Sequence, residues 1–411
     1  MNYKEKLNRN IWVNNMFQFI QGMNFTNGIW MIYLAFKGLS LVEIGILESI
    51  FHVAAFLMEV PTGVVADLYG RKTSRIWGIV LSFGSIVLLM LANSFIGYAM
   101  SFVFMALGYN LESGAGEALI YDSLKELDQT SKFMKVNGHI EIAMQLSGLV
   151  ALPVGGYLAT KNYMYAMGLT LVAKGVAFAI AFMFEEPKLV EHIEKQNGMF
   201  KSMSKQVKES IALFKRVPMT GYLIIVMQIF SLIFTTSWFY IQNYYKGMAL
   251  DEFQIGVILA LAAVSGALFA FVTHRVESIV KPFGIVLGVP IIAITCYWGI
   301  ALNPLHIGYF VLLAGLEGMY YVAMSDYLNR FIPSEHRATV LSFGAMCFSS
   351  MMIVLFPLFG YLGDLIGLER AFYVMAAFAT LVILTSSILL LRKGKIEDAL
   401  LENRNENNFT A

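Results

Sequence analysis

Apolar runs long enough to cross a membrane recur along the whole chain, each closed by a polar interval. Spanning the hydrocarbon core as a helix takes about 20 residues. Twelve segments qualify: 11–36, 42–66, 75–93, 95–121, 138–160, 163–184, 217–244, 252–273, 282–302, 305–329, 338–362 and 367–391. The longest polar interval, 185–216, carries Lys188, Lys195, Lys201, Lys205, Lys208, Lys215 and Arg216 and divides the chain near its midpoint. The pattern predicts an all-α integral membrane protein with twelve transmembrane helices in two pseudo-symmetric six-helix bundles. Residues 1–184 are expected to form the first bundle, 185–216 a central loop, 217–391 the second bundle and 392–411 a polar tail.

An internal repeat supports the two-bundle division. Asp122-x-Leu124 is followed 31 residues later by Pro153-x-x-Gly156-Tyr157-Leu158, and Asp326-x-Leu328 by Pro357-x-x-Gly360-Tyr361-Leu362 at the same interval. Gly114 and Gly318 keep the offset of 204 residues that separates the two copies. Gly78-Ile-Val-Leu81 matches Gly284-Ile-Val-Leu287, and Ile44-Gly45 matches Ile255-Gly256, at similar offsets. Six helices per half give both halves the same orientation, an arrangement in which a substrate site lies between them near the membrane midplane.

Charge adds the orientation. Of 29 Lys and Arg, 24 fall in the N-terminal segment, the even-to-odd loops, the central interval or the tail. Lys37, Lys161, Lys246 and Arg370 fall on the other side, and Lys174 lies inside a segment. Positive charge accumulates on the cytoplasmic side, so both termini and the central loop are expected there, in the plasma membrane of a bacterial cell. Lys4, Lys6 and Arg9 precede the first apolar run with no small-residue cleavage site after it, which reads as a retained first helix.

Composition removes the soluble classes. The chain is 58% hydrophobic and 14% charged, against about 25% charged in soluble domains. A net charge of +1 gives no reason to expect a nucleic-acid partner. Cys296 and Cys347 lie in apolar runs without metal-ligand spacing, and the six histidines are scattered, so neither a disulfide framework nor a metal site is expected. With no nucleotide loop and no nucleophile motif, the chain does not read as an enzyme.

The densest motif is Glu59-Val60-Pro61-Thr62-Gly63-Val64-Val65-Ala66-Asp67-Leu68-Tyr69-Gly70-Arg71-Lys72, the end of one apolar run and a tight charged hairpin into the next. Asp67 caps the hairpin, Gly70 permits a positive φ, and Arg71, Lys72 and Arg75 place positive charge on one membrane face. The order Gly63-x3-Asp67-x2-Gly70-Arg71-Lys72 resembles the signature loop between helices two and three of the major facilitator superfamily of secondary transporters. Glu59-x-Pro61-x5-Asp67-x3-Arg71-Lys72 looks like the loop variant of clostridial-type tetracycline efflux pumps, although His52 stands where that group has an acid. The counterpart in the second half, Thr273-His-Arg275-Val-Glu277-Ser-Ile-Val-Lys281, lacks both glycines and the aspartate. The run Leu152-Pro153-Val154-Gly155-Gly156 is loosely similar to the helix-five motif of the superfamily's drug/proton antiporters. Their helix-four arginine is absent: Asn110 and Glu112 precede Gly114 and Gly116. The resemblance implies that Asp122 pairs with Arg71 at the cytoplasmic ends of the helices.

Ionisable side chains inside membrane segments are costly and normally face a bundle interior or a wet cavity. Glu48, His52 and Glu59 fall on one stripe of the second segment, within about 40° of arc. Together with Glu112, Glu117 and Glu141 they are the candidate proton-coupling groups; a polar stripe satisfied by neighbouring helices is the bland alternative. The candidate gate comprises Gly63, Asp67, Gly70, Arg71, Lys72 and Asp122. Asn14, Gln18 and Gln21 share a face of the first segment, as do Gln228, Ser231, Thr235, Trp238 and Gln242 of the seventh. Gln18, Gln21, Gln228, Thr235, Trp238, Gln242, Glu317 and Tyr321 are the substrate-cavity candidates. Amides, hydroxyls and Trp suit an amphipathic organic solute. Lys174 calls for a buried carboxylate partner that the sequence does not identify.

These features lead to a proton-coupled efflux antiporter of small amphipathic compounds or drugs, driven by the proton gradient without a cofactor. Its expected partners are the substrate, protons and the bilayer, and it is expected to be monomeric. Proton symport or uniport of a small metabolite, and a non-transporting receptor or scaffold, are the alternatives.

Overall fold

The computed structural model describes residues 2–188, 218–332 and 337–392. Most of the predicted central loop, the tail beyond Arg392 and residues 333–336 lie outside them. Every regular element among the described residues is a helix. Its elements are α1 Tyr3–Gly22, α2 Trp30–Phe36, α3 Leu41–Tyr69, α4 Arg71–Leu91, α5 Phe95–Glu126, a 3₁₀ turn Thr130–Lys132, α6 Phe133–Lys161 and α7 Tyr163–Ala181. There follow α8 Pro218–Gly247, α9 Glu252–Leu302, α10 His306–Phe331, α11 Arg337–Ile366 and α12 Leu368–Arg392. Among the described residues nine helices are long and apolar enough to cross a membrane, and α9, at 51 residues, is long enough to do so twice. The charged start of α1 and the polar groups of α5 keep those two below the same hydropathy level.

Helix boundaries follow local chemistry. Asn2 with Glu5, and Ser40 with Glu43, form reciprocal capping boxes at α1 and α3. Ser94 and Asn162 cap α5 and α7 through backbone N–H groups. Between α3 and α4 a single residue, Gly70 at φ +94°, makes the reversal, so the expected charged loop is helical on both sides of one glycine. The expected polar loop at Thr273–Lys281 is likewise helical up to a kink at Lys281, φ 61° and ψ 167°. Pro282 accounts for the extended ψ there, because a following proline disfavours the helical region for Lys281.

The first predicted span, 11–36, is not one helix. It breaks after Gly22 and resumes at Trp30, because Asn24, Thr26, Asn27 and Gly28 favour local turns over helix. The Asn24 carboxamide oxygen accepts from the Thr26 N–H (3.1 Å) and hydroxyl (2.5 Å). Non-helical backbone at membrane depth must find partners within the protein, and Thr170 of α7 accepts the Phe25 N–H at 3.1 Å.

The described residues fall into two compact units, the first comprising 2–188 and 245–260, the second 218–244, 261–332 and 337–392. In the first, α5 is flanked by α3 and α4, and α1 lies against α6 and α7. Small residues let helix backbones touch: a Cβ on Gly108 would lie 2.8 Å from the Gly78 carbonyl oxygen. The second unit uses the same device where a Cβ on Gly318 of α10 would lie 2.5 Å from the Gly266 carbonyl oxygen of α9. An apolar core that includes Val13, Phe17, Ile79, Leu119 and Phe184 fills the first unit.

Candidate functional site

The signature hairpin is tied down from three directions. The Arg71 guanidinium donates to Asp67 Oδ1 at 2.6 Å, one helical turn back, and lies 3.8 Å from Asp122 Oδ2 of α5. Glu186, which the sequence reading passed over, accepts the Arg71 and Lys72 backbone N–H groups at 2.6 and 2.8 Å. A carboxylate at a helix N-terminus satisfies orphan donors and opposes the positive dipole end. The Lys72 ammonium donates to the Phe182 carbonyl at 2.9 Å. A Cβ on Gly70 would meet the Glu186 carboxylate at 2.9 Å, so that glycine is required for space as well as for φ. At Gly63 a Cβ would meet nothing.

Residues 182–188 continue as a strap over the starts of α1 and α4. Asn10 is buried and exchanges hydrogen bonds with the Glu185 backbone in both directions, while Arg9 donates to the Met183 carbonyl. The Tyr3 hydroxyl donates to Glu126 at 2.7 Å and accepts the Lys188 N–H at 3.0 Å. Burial, then the Glu126 hydrogen bond, push this phenol up to about 12, so it keeps its proton at neutral pH.

Within the first unit the polar groups converge on Arg75. The sequence reading placed Arg75 on the membrane face with Arg71 and Lys72; instead it is wholly buried. The hairpin reverses in one residue, so Arg75 sits a full turn inside α4, where its side chain turns inward. Its guanidinium donates to Asn14 of α1 at 2.7 Å and to Glu112 of α5 at 2.9 Å, and it stacks between the Phe17 and Phe184 rings. Gln18 donates to the same Glu112 oxygen at 3.1 Å. Glu112 of α5 is thus held by an arginine from the neighbouring helix. One signal for this was Gly116, where a Cβ would crowd both Glu112 and Arg75 at 3.0–3.4 Å. Lys174 is buried too; it donates to the Gln21 carbonyl at 3.3 Å, and Glu112 is the acid whose charge reaches it.

The acidic candidates separate by environment. Glu48 and His52 are buried together on α3, with His52 Nε2 3.7 Å from Glu48 Oε1. Glu59, although on the same stripe, is exposed, and so is Glu117. Glu141 is exposed as well and accepts from Gln145 at 2.9 Å. The Leu152–Gly156 run acts through its backbone. A Cβ on Gly155 would lie 2.0 Å from the Phe25 carbonyl oxygen, and one on Gly156 2.2 Å from that of Glu252. Beside that approach, buried Glu252 accepts from Tyr163 at 2.5 Å and pairs with Lys246 at 2.7 Å.

In the second unit Ser231, Thr235 and Trp238 form a half-buried strip on α8, Gln242 is buried, and Gln228 packs beside Gly344 of α11. Glu317 of α10 is half-buried opposite that strip and accepts from the Ser231 hydroxyl at 3.3 Å. Trp238 lies 5.8 Å from the Phe310 ring, and Phe230 stacks on Tyr320 at 4.7 Å. Tyr321, one turn along α10 from Glu317, is exposed. Among the described residues no three His, Cys, Asp or Glu are grouped as a metal site.

Comparison with known proteins places this architecture. The family model of the Major Facilitator Superfamily matches residues 11–305. An uncharacterized MFS-type transporter, YxaM of Bacillus subtilis (strain 168), is 26% identical over 385 residues, covering 89% of this chain and 92% of that protein. Among solved structures, the D323A mutant of the nucleoside transporter NupG aligns with a TM-score of 0.75 at 14% identity, covering 94% of this chain and 99% of that one. A D-xylose-proton symporter aligns at 0.68 and 12% identity, covering 92% of this chain and 96% of that one. The chain belongs to the Major Facilitator Superfamily and is a non-enzymatic, multi-pass membrane transporter of small molecules.

Proposed function

We propose that this transporter is a proton-coupled efflux antiporter of small amphipathic compounds in the plasma membrane. Both termini and the 185–216 loop are cytoplasmic, and the halves 1–184 and 217–391 alternate access as monomers. The observation that carries coupling is the buried Glu48–His52 pair, 3.7 Å apart within one helix of the membrane region. A carboxylate and an imidazole at that spacing share one proton with little rearrangement, and burial makes an extra charge there costly. Passage of that proton through Glu48 and His52 is coupled to the gate, where Arg71 is held between Asp67 and Asp122. The Gly155–Gly156 approach to the Phe25 and Glu252 backbones is consistent with the resemblance to the antiporters' helix-five motif.

Reconstitution in proteoliposomes with an imposed pH gradient tests this reading. Solute movement opposite to the protons, abolished by Glu48→Gln and by His52→Gln, is the expected result. Movement of solute with the protons would establish symport instead, the reading favoured by the fold shared with a D-xylose-proton symporter. Gradient-independent transport would remove the proton from the mechanism.

A further inference from the structure

The buried acids of the first unit have basic partners within the chain: Glu112 has Arg75, Glu48 has His52 and Glu252 has Lys246. Glu317 does not. It lies eleven residues into α10, about 17 Å along the helix from its start, and its one hydrogen bond among the described residues is the Ser231 hydroxyl at 3.3 Å. The fully buried polar side chains of the second unit are hydroxyls and amides, with no Lys or Arg among the described ones. Behind Glu317 the Tyr297 hydroxyl is buried without a hydrogen-bond partner and lies within reach of the carboxylate's charge.

The surroundings of Glu317 are aromatic on both sides along the helix pair. One turn along α10 is the Phe230–Tyr320 stack, at 4.7 Å. Two turns the other way is Trp238 against Phe310, at 5.8 Å. Ser231 and Trp238 are half-buried, so this strip presents an open face between the two aromatic layers. Ring faces attract onium groups, and a carboxylate at membrane depth requires a counter-charge. We infer that Glu317, Ser231 and Trp238 form a binding site for an organic cation, with the carboxylate meeting the positive group and the rings holding its apolar substituents. The inference deepens the amphipathic-substrate reading by naming the charge class, and it rests on the transporter assignment rather than on proton coupling.

The probe is tritiated tetraphenylphosphonium, with equilibrium binding measured on the purified full-length protein in detergent without any pH gradient. One saturable site is expected. Glu317→Gln should weaken it at least about tenfold, Glu317→Asp by no more than about threefold, and Trp238→Ala severalfold. Absence of saturable binding to folded wild-type protein, or unchanged affinity in Glu317→Gln, overturns the site. If Glu317→Gln does not fold, competition on the wild type decides. Benzyltrimethylammonium should displace the probe and its neutral isostere neopentylbenzene should not; equal displacement sinks the proposal. A transporter that binds the probe but ignores a pH gradient would fail the coupling proposal alone. One that couples to protons but shows no Glu317-dependent binding would fail this inference alone.

Discussion

The two units handle charge in opposite ways. All the Asp, Glu, His, Lys and Arg side chains among the buried described residues belong to the first unit: Glu48, His52, Arg75, Glu112, Lys174 and Glu252. They are compensated within the chain, most fully at Arg75, which takes two charged or amide acceptors and two ring faces. The second unit buries hydroxyls and amides and holds Glu317 half-exposed beside aromatic rings. A charge that is neutralised internally ties helices together and can trade protons. A carboxylate without a cation of its own is free to recognise one from outside. The repeat in the sequence gives no hint of this division, because it is carried by Gly, Pro, Asp and Leu positions that both units share.

The largest test of the contrast is removal of Arg75. Arg75→Ala leaves Glu112 and Asn14 facing a void, and breaking one side of a buried pair costs about 3–5 kcal/mol. A steep loss of folded, monodisperse protein is expected by size-exclusion chromatography and thermal unfolding. The double change Arg75→Met with Glu112→Met should recover much of that stability, since it removes the charge as well as its partner. Failure of the double variant to recover would mean that the network is more than a compensated pair.

The close-packed glycines sharpen the comparison next. Gly114 and Gly318 are equivalent in the repeat, yet a Cβ on Gly114 meets nothing within 4 Å while one on Gly318 meets the Gly266 backbone at 2.5 Å. Gly318→Ala should destabilise by about 1–3 kcal/mol through overpacking, whereas Gly114→Ala should stay within about 0.5 kcal/mol of wild type. Melting temperatures of the two variants, compared side by side, check this. Equal shifts would show that the repeat equivalence extends to packing.

The one-residue interruptions make a smaller and opposite prediction. Gly70 and Lys281 both interrupt the helix with positive φ, but Lys281 does so with a side chain that disfavours φ 61°. Lys281→Gly should therefore raise stability, by about 1 kcal/mol or somewhat more. Gly70→Ala should lower it, through strain and through contact with Glu186. The smallest expected effect is at the other end of the first unit. Tyr163→Phe removes a hydrogen bond from Glu252 but leaves the Lys246 pair, so a loss of about 1 kcal/mol is expected in the same melting assay.

The amino-acid sequence by itself determined the helical membrane class, most helix boundaries and the positive φ at Gly70. The hydrophobic period, the capping side chains and the need for glycine at a reversal are all local properties. Asn24, Thr26, Asn27 and Gly28 favour a break after Gly22, but only Thr170 of α7, by accepting the Phe25 N–H, lets that break sit inside 11–36. The sequence reading placed Arg75 at the membrane face because charge counting treats a residue next to a loop as part of the loop. Only packing decided otherwise, with Asn14, Phe17, Glu112 and Phe184 converging on one guanidinium from three separate stretches of chain. Glu186 was missed for the same reason, lying 115 residues from the backbone N–H of Arg71 that it holds. The shared stripe of Glu48, His52 and Glu59 was legible from helical geometry, but not that Glu59 would be exposed and the other two buried. Periodicity fixes which side of a helix a residue occupies; what lies against that side, and how much water reaches it, is set by helices distant in sequence.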